Sequence, residues 1–143
     1  MATSAYFKFQ DFSEQLIRGI HDFDAHVFKV YLTNAAPSAS LDAIKTDLAE
    51  IGAGNGYTAG GNTTTITISE TTGTTTVSGT QVVFTAAGGS IGPFQYAVLY
   101  NDTSASDNLI SYFDYGAALT LADTESLTVK FNNASPGTIF TLL

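Results

Sequence analysis

Cysteine and tryptophan are absent from this chain of 143 residues, and only five of its residues are basic. Without cysteine the chain forms neither a disulfide nor a thiolate metal site, and thiol catalysis is excluded. Binding to a phosphate backbone requires clustered Lys and Arg side chains, whereas the basic residues here are dispersed. We therefore expect no nucleic-acid partner, and the same argument counts against an anionic membrane surface. The basic residues are Lys8, Arg18, Lys29, Lys45 and Lys130.

Long apolar runs are absent too. No stretch approaches the roughly 18 apolar residues that a membrane-spanning helix needs. The N-terminal sequence MATSAYFKF has no basic segment followed by an apolar one, so it lacks the pattern of a secretory signal. We expect a soluble protein that is made in the cytoplasm.

The surface is expected to carry few charges. Charged residues make up 13% of the chain, compared with about 25% in typical domains. Thr, Ser, Asn and Gly fill the polar positions, and the net charge of −8 favours solubility. Such a surface repels neighbours only weakly, which suits a protein packed against other proteins or against its own copies. Many secreted β domains share this property.

Short strands separated by turn residues dominate the pattern. The length fits one domain, residues 1–143. Alternating apolar and polar residues, rich in β-branched and aromatic types, predict a mainly β fold: an antiparallel sandwich or jelly-roll-like domain, with a barrel as the alternative. The predicted strands are residues 6–9, 26–33, 63–69, 74–78, 81–85, 94–101, 108–115, 127–131 and 138–142.

Two short helices are predicted in the N-terminal half. The first covers residues 12–20, with Asp11 as the N-cap candidate and Gly19 as a stop, and a strand is the alternative for this short segment. The second begins after Ser40 and ends before Gly52. Its apolar residues recur at helical spacing and are expected to share one face. They are Leu41, Ile44, Leu48 and Ile51.

Two polar segments invite a metal interpretation. The sequence HDFDAH, residues 21–26, holds two histidines and two carboxylates. On a helix the two histidines would lie off one face, and on a strand they would point to opposite faces, so we predict a turn with solvated charges. The loop NDTSASDN, residues 101–108, lacks the ligand order of a calcium-binding EF-hand. We predict a hairpin loop whose Asx and Ser side chains satisfy its own backbone.

No catalytic set assembles from the sequence. The Gly-x-Ser-x-Gly elbow of hydrolases is missing, and both histidines fall in one predicted turn. Glycine loops at residues 56–61 and 88–92 lack the Gly-Lys-Ser/Thr of a phosphate-binding loop and are expected to supply turns. With thirteen acidic residues, two carboxylates could lie close enough to act as the catalytic pair of a glycoside hydrolase, and this alternative stays open. We predict a protein that is not an enzyme and has no cofactor or metal.

Four segments carry a family resemblance. They are KVYLTNAAP (residues 29–37), GYTAGG (56–61), FTAAGGSIGPFQYAVLYND (84–102) and LADTESLTVKF (121–131). Together they resemble the small capsid decoration, or cement, proteins of tailed bacteriophages. The resemblance implies a β-rich, often jelly-roll-like domain that binds the outside of the head shell and stabilises it. It also implies the major capsid protein as partner, a homo-oligomer, commonly a trimer, and a location on the capsid exterior of the virion.

Two other functions stay open. One is a structural component of the phage tail or tail tip. The other is a carbohydrate-binding jelly-roll module that stacks sugars on Tyr57 or Tyr112. Without the resemblance, the sequence indicates only a soluble all-β domain.

Four aromatic residues are candidate partner contacts. Tyr6, Phe7 and Phe9 lie in the N-terminal residues 1–10, which form either an arm lying on a neighbouring subunit or an ordinary first strand. Tyr57, beside a glycine loop, is either a packed lid or an exposed contact. No catalytic residue follows from the resemblance.

Overall fold

The computed structural model describes residues 4–143, in which strands predominate. One α-helix, α1, spans Asp11–Ile17, and a single 3₁₀ turn spans Lys45–Asp47 within this part of the chain. The strands are β1 (Ala5–Lys8), β2 (Phe28–Thr33), β3 (Asn62–Thr64), β4 (Ile66–Thr71), β5 (Thr74–Gly79), β6 (Val82–Thr85), β7 (Ile91–Asn101), β8 (Leu109–Leu121), β9 (Ser126–Val129) and β10 (Gly137–Leu142).

The strands form three antiparallel sheets in two layers. A five-stranded sheet with the order β1-β8-β7-β2-β3 forms one layer. The sheets β10-β5-β4 and β6-β9 form the other, and apolar side chains of all three sheets meet in one core. The prediction of a mainly β, antiparallel, jelly-roll-like sandwich is confirmed.

The five-stranded sheet is buried on both faces at its centre. In β2, Phe28, Val30 and Leu32 point into the core between the layers, and Tyr31 points the other way. This alternation follows from the two-residue period of a strand. On the outer face Tyr31 joins a second apolar cluster with Leu48, which lies in the long connection between β2 and β3. Residues 34–61 therefore act as a cover for that face.

The prediction of a helix over residues 41–51 is wrong. Leu41 is 81% exposed, Leu48 belongs to the outer cluster, and Ile51 packs against the inner core. The carboxylates of Asp42 and Asp47 accept hydrogen bonds from nearby backbone N–H groups. Such side-chain bonds offer the backbone an alternative to helical hydrogen bonds.

Bridges to distant strands hold the same segment extended. Ile44 pairs with Asn108, and Glu50 pairs with Thr33 of β2. The N–H of Ile51 also donates to the carbonyl oxygen of Leu32, over 3.1 Å. These long-range hydrogen bonds are invisible to local periodicity, which explains the error.

Two smaller corrections concern element ends. Gln10 takes the N-cap position of α1, and Asp11 is the first helical residue. The single strand predicted over residues 63–69 is two strands: β3 belongs to the five-stranded sheet and β4 to the opposite layer. Thr65, between them, is where the chain passes from one layer to the other. No helix in residues 4–143 is long and apolar enough to cross a membrane.

Candidate functional site

An open groove of about 1000 Å³ lies between the two layers. Its floor is the inner face of the five-stranded sheet, with Tyr6 of β1 and Phe113 and Tyr115 of β8. One wall is formed by residues 127–129 of β9 and by Lys130, which follows the strand, and all four line the groove. Successive side chains of a strand alternate between faces, so four consecutive lining residues mean that the strand's edge borders the groove. The opposite wall includes Thr138 and Ile139 of β10.

The groove lining is nearly free of charge. Among its seventeen lining residues Lys130 is the one charged side chain, and the others are apolar, aromatic, hydroxyl or carboxamide groups. Asn132 and Asn133 stand at one end, both with positive φ, 47° and 53°. Asparagine is one of the few non-glycine residues that visit this region readily. The groove is therefore a polar but uncharged surface with an aromatic floor.

Tyr6 joins the two layers at the groove. Its ring packs on Phe113, with ring centroids 4.7 Å apart. Its hydroxyl lies 2.8 Å from Oγ of Ser111 and 3.1 Å from the carbonyl oxygen of Ile139 in β10. Burial of this hydroxyl raises the pKa of Tyr6 to about 12, against a smaller lowering by the hydrogen bond with Ser111. The residue as a whole stays 38% exposed, so Tyr6 both anchors the two layers and offers surface to solvent.

The structure separates the four aromatic candidates. Tyr6 and Phe7 keep 38% and 43% of their surface exposed, whereas Phe9 and Tyr57 are 0% and 3% exposed. Phe9 and Tyr57 therefore have almost no surface to offer a partner, and of the two alternatives for Tyr57 the packed one is observed. Residues 5–8 form a strand, β1, that pairs with β8 of the same chain, and their contact with a neighbouring subunit stays a prediction.

Glu50, which the sequence did not single out, is the centre of a partly buried polar network. One of its oxygens accepts hydrogen bonds from the hydroxyl of Tyr57, over 2.7 Å, and from the N–H of Gly60, over 2.6 Å. The other oxygen pairs with Nζ of Lys45 at 2.7 Å. The hydroxyl of Tyr57 also accepts the N–H of Leu32, over 3.0 Å. With both oxygens occupied, Glu50 acts as an internal cross-link.

The network continues through a tyrosine of β7. The hydroxyl of Tyr100 lies 2.7 Å from the carbonyl oxygen of Gly60 and 3.1 Å from Oδ1 of Asp102. Asp102 in turn pairs with Lys29 of β2 at 2.8 Å. Burial and the neighbouring carboxylate of Asp102 hold the pKa of Tyr100 well above its usual range, so the phenol stays protonated and can donate. Nζ of Lys45 also lies 4.9 Å from the ring centre of Tyr31.

Three of the four segments that carry the family resemblance meet in this network. Residues 29–37 supply Lys29 and Tyr31, residues 56–61 supply Tyr57 and Gly60, and residues 84–102 supply Tyr100 and Asp102. Their residue types are explained by hydrogen bonds and packing that fasten the cover segment to the five-stranded sheet. These six residues are therefore scaffold residues, whereas other members of the resembling segments, residues 94–97 and 127–130, line the groove.

The two histidines converge, contrary to the expectation from their spacing. Nδ1 of His21 lies 3.2 Å, and Nδ1 of His26 2.9 Å, from the side-chain nitrogen of Asn101. Oδ1 of Asn101 accepts the N–H groups of Thr103 and Ser104, so its NH₂ group must face the histidines. The two N–H groups of this amide therefore face three acceptors: the two Nδ1 atoms and the carbonyl oxygen of Ile20, at 3.3 Å.

This arrangement corrects the prediction of solvated charges for His21 alone, because Asp22 and Asp24 are exposed as predicted. The turn itself is present, since Oδ1 of Asp22 accepts the N–H groups of Asp24 and Ala25. His21, however, is only 5% exposed, and burial together with repulsion from His26 lowers its pKa to about 4. Its Nε2 has no hydrogen-bond partner among residues 4–143. The side-chain nitrogen of Asn101 lies between the two imidazole rings.

The loop over residues 101–108 behaves as predicted. Oγ of Ser104 donates to the carbonyl oxygen of Asn101, over 3.0 Å, and accepts the N–H of Asn108, over 2.9 Å. Its side chains therefore satisfy its own backbone. Within the described part of the chain, no group of three or more His, Asp or Glu side chains is placed to hold a metal ion.

Comparison of the chain with protein-family models, with curated proteins and with solved structures finds no match. The arguments about function therefore depend on the residues and geometry described above and on the resemblance of the four segments.

Proposed function

We propose that this chain is a structural virion protein of a tailed bacteriophage that binds the outside of the capsid shell and stabilises it. Its partner is the major capsid protein, and it acts as a homo-oligomer, with a trimer as the favoured form. Stabilisation follows from linkage, because a protein that binds only the assembled shell shifts the equilibrium toward that shell.

The observation that carries this proposal is the exposed apolar character of the two edge strands at the chain ends. β1 and β10 each pair with a strand on one side only within residues 4–143. Phe7 of β1 is 43% exposed and Leu142 of β10 is 57% exposed. The Tyr6–Ile139 contact places the two strands at the same side of the sandwich. An open strand edge with apolar side chains is a surface on which another protein chain can pack.

The internal construction also supports a structural role. The Glu50 and Asn101 networks join side chains from distant parts of the chain, which favours a rigid body with one shape. A rigid partner loses little conformational entropy on binding, and low entropy loss strengthens attachment to a shell.

Electron cryo-microscopy of the phage particles that carry this chain tests the proposal. We expect density for the fold in clusters on the outer capsid surface. Density found only in the tail would keep a virion role and reject decoration of the capsid. Absence from the particle would reject both.

A binding experiment tests the contact surface. In the variant Phe7→Asp, we expect binding to purified capsids to weaken at least about tenfold, because a charge replaces an apolar contact at the edge of β1. Val83→Asp is a matched control, since Val83 is 41% exposed but lies on β6. Sedimentation of each folded variant with capsids measures binding. Equal binding of both variants and the unmodified protein would exclude the β1 edge as the contact.

A further inference from the structure

We propose that the groove between β9 and the five-stranded sheet binds a neutral oligosaccharide. The proposal concerns a site distinct from the strand edges proposed for capsid contact, and it stands whether or not the chain decorates a capsid. It follows from three observations on the lining: exposed aromatic rings, free carboxamides and the near absence of charge.

The aromatic floor fits the apolar face of a sugar ring. Tyr115 is 44% exposed and Tyr6 is 38% exposed, and both line the groove. Pyranose rings present C–H groups on a flat face, and an exposed phenol ring buries such a face while its polar end stays wet. Tyr57 and Tyr112, the tyrosines that the sequence suggested for this role, are only 3% and 8% exposed, so their rings are not free to stack.

The polar groups of the groove suit hydroxyl groups. Gln81, Asn132 and Asn133 line it, and their side-chain amides make no hydrogen bond with another residue of the described range 4–143. A carboxamide both donates and accepts, as a sugar hydroxyl does, so the two can pair in either direction. Binding sites of this volume typically combine an apolar lining with a few such polar groups.

The charge of the groove selects against ionic ligands. No acidic residue lines it, so a cationic ligand finds no counter-charge. A polyanion would face a protein with a net charge of −8 and a single lining cation, Lys130. A neutral chain of several sugar units fits the remaining chemistry, and the 1000 Å³ volume and open shape admit one.

The test uses the full chain and four uncharged probes: maltohexaose, cellohexaose, xylohexaose and chitohexaose. Heteronuclear NMR titration reports both affinity and location. We expect at least one probe to bind and to shift the resonances of Tyr115 and of residues 127–133. Tyr115→Ala should weaken that binding about tenfold or more, because the stacking surface is lost.

Three further variants show whether binding depends on the Tyr115 ring, on an exposed apolar residue elsewhere, or on a groove amide. Tyr115→Phe keeps the ring, so its affinity should stay within a few-fold of the unmodified protein. Ile68→Ala is a matched control, because Ile68 is 45% exposed but lies on β4, outside the groove lining. It should bind the probe unchanged. Asn132→Gly removes one amide while keeping the positive φ, and it should weaken binding too.

Several outcomes would overturn the proposal. They are failure of all four probes to bind at millimolar concentration, binding that Tyr115→Ala leaves intact, and shifts that map outside the groove. An extended apolar peptide that binds along β9 where the sugars do not would assign the groove to strand addition instead.

Discussion

At the scale of single residues, the main lesson is that buried polar groups here are paired in networks that link distant segments. Glu50 and Asn101 each satisfy several partners that are far apart in the sequence. Breaking one member of such a network leaves the others buried and unpaired, which costs more than the bond itself contributed. Residue-scale predictions therefore concern these two centres.

Glu50→Gln should destabilise the fold by about 1–3 kcal/mol, because a partly buried ion pair and two hydrogen bonds lose their charged acceptor. Glu14→Gln is the matched control. Glu14 pairs with Arg18 at 2.7 Å, but both side chains are at least 60% exposed, so we expect a change below about 0.5 kcal/mol. Urea unfolding of the two variants measures the difference. Similar losses in both would show that the buried network adds nothing.

Stability should fall with acidification because of His21. Its pKa is about 4 in the folded chain and about 6.5 in an unfolded one. The unfolded state therefore binds the proton first. The stabilisation is complete above pH 6.5 and is lost as the pH falls from 6.5 to 4, which amounts to about 2 kcal/mol at pH 4.5.

The variant His21→Phe isolates this effect from the titration of carboxylates. Its unfolding free energy should change less between pH 7 and pH 4.5 than that of the unmodified protein. Chemical denaturation at the two pH values measures both changes. Equal changes in the two proteins would contradict the assignment of a low pKa to His21.

At the scale of elements, close backbone approach decides where glycine is required. Gly61 precedes β3 with φ of 76°, and a Cβ there would lie 1.8 Å from the carbonyl oxygen of Val30 in β2. Neither atom can move without breaking the β2–β3 pairing. Gly73, in the turn between β4 and β5, has φ of 89° but no atom within 4 Å of a built Cβ.

Alanine substitutions of Gly61 and Gly73 separate the effect of a backbone clash from that of a positive φ alone. Gly61→Ala should cost more than about 3 kcal/mol or prevent folding, because strain and a backbone clash combine. Gly73→Ala should cost only about 1 kcal/mol, the strain of the left-handed conformation. Thermal unfolding and soluble yield compare the two variants. A Gly61→Ala protein as stable as Gly73→Ala would contradict the close approach.

Element prediction succeeded where local pattern and tertiary environment agree. Successive side chains of β2 point alternately into the inner core and the outer cluster, and the β-branched and aromatic residues of its sequence predict a strand. It failed for residues 41–51, where helical spacing of Leu41, Ile44 and Leu48 competes with backbone bridges to Asn108 and to β2. Local periodicity contains no information on such long-range partners.

At the scale of the whole molecule, burial is uneven across the sandwich. β2 and β7 are central in their sheet and are covered on both faces, by the inner core and by the outer cluster. β4 is an edge strand with five of its six residues exposed. Local opening of a strand costs free energy in proportion to the contacts that it breaks.

Hydrogen exchange should therefore be slowest in β2 and β7 and much faster in β4. Mass-spectrometric exchange on the native protein measures the protection of each strand. If β4 were protected as strongly as β7, the molecule would open only by global unfolding or would hide β4 in an interface with another copy. Repeating the measurement at several protein concentrations separates these two explanations.

The sequence by itself determined the class of the fold, the approximate position of most strands, the turn at HDFDAH and the self-satisfied loop at residues 101–108. These properties depend on side-chain alternation and on contacts within a few residues. Only the tertiary structure decided the strand order, the burial of Phe9 and Tyr57, the convergence of His21 and His26 on Asn101, and the groove with its aromatic floor. Each of these results from contacts between residues far apart in the chain, and such contacts leave no periodic signal in the sequence.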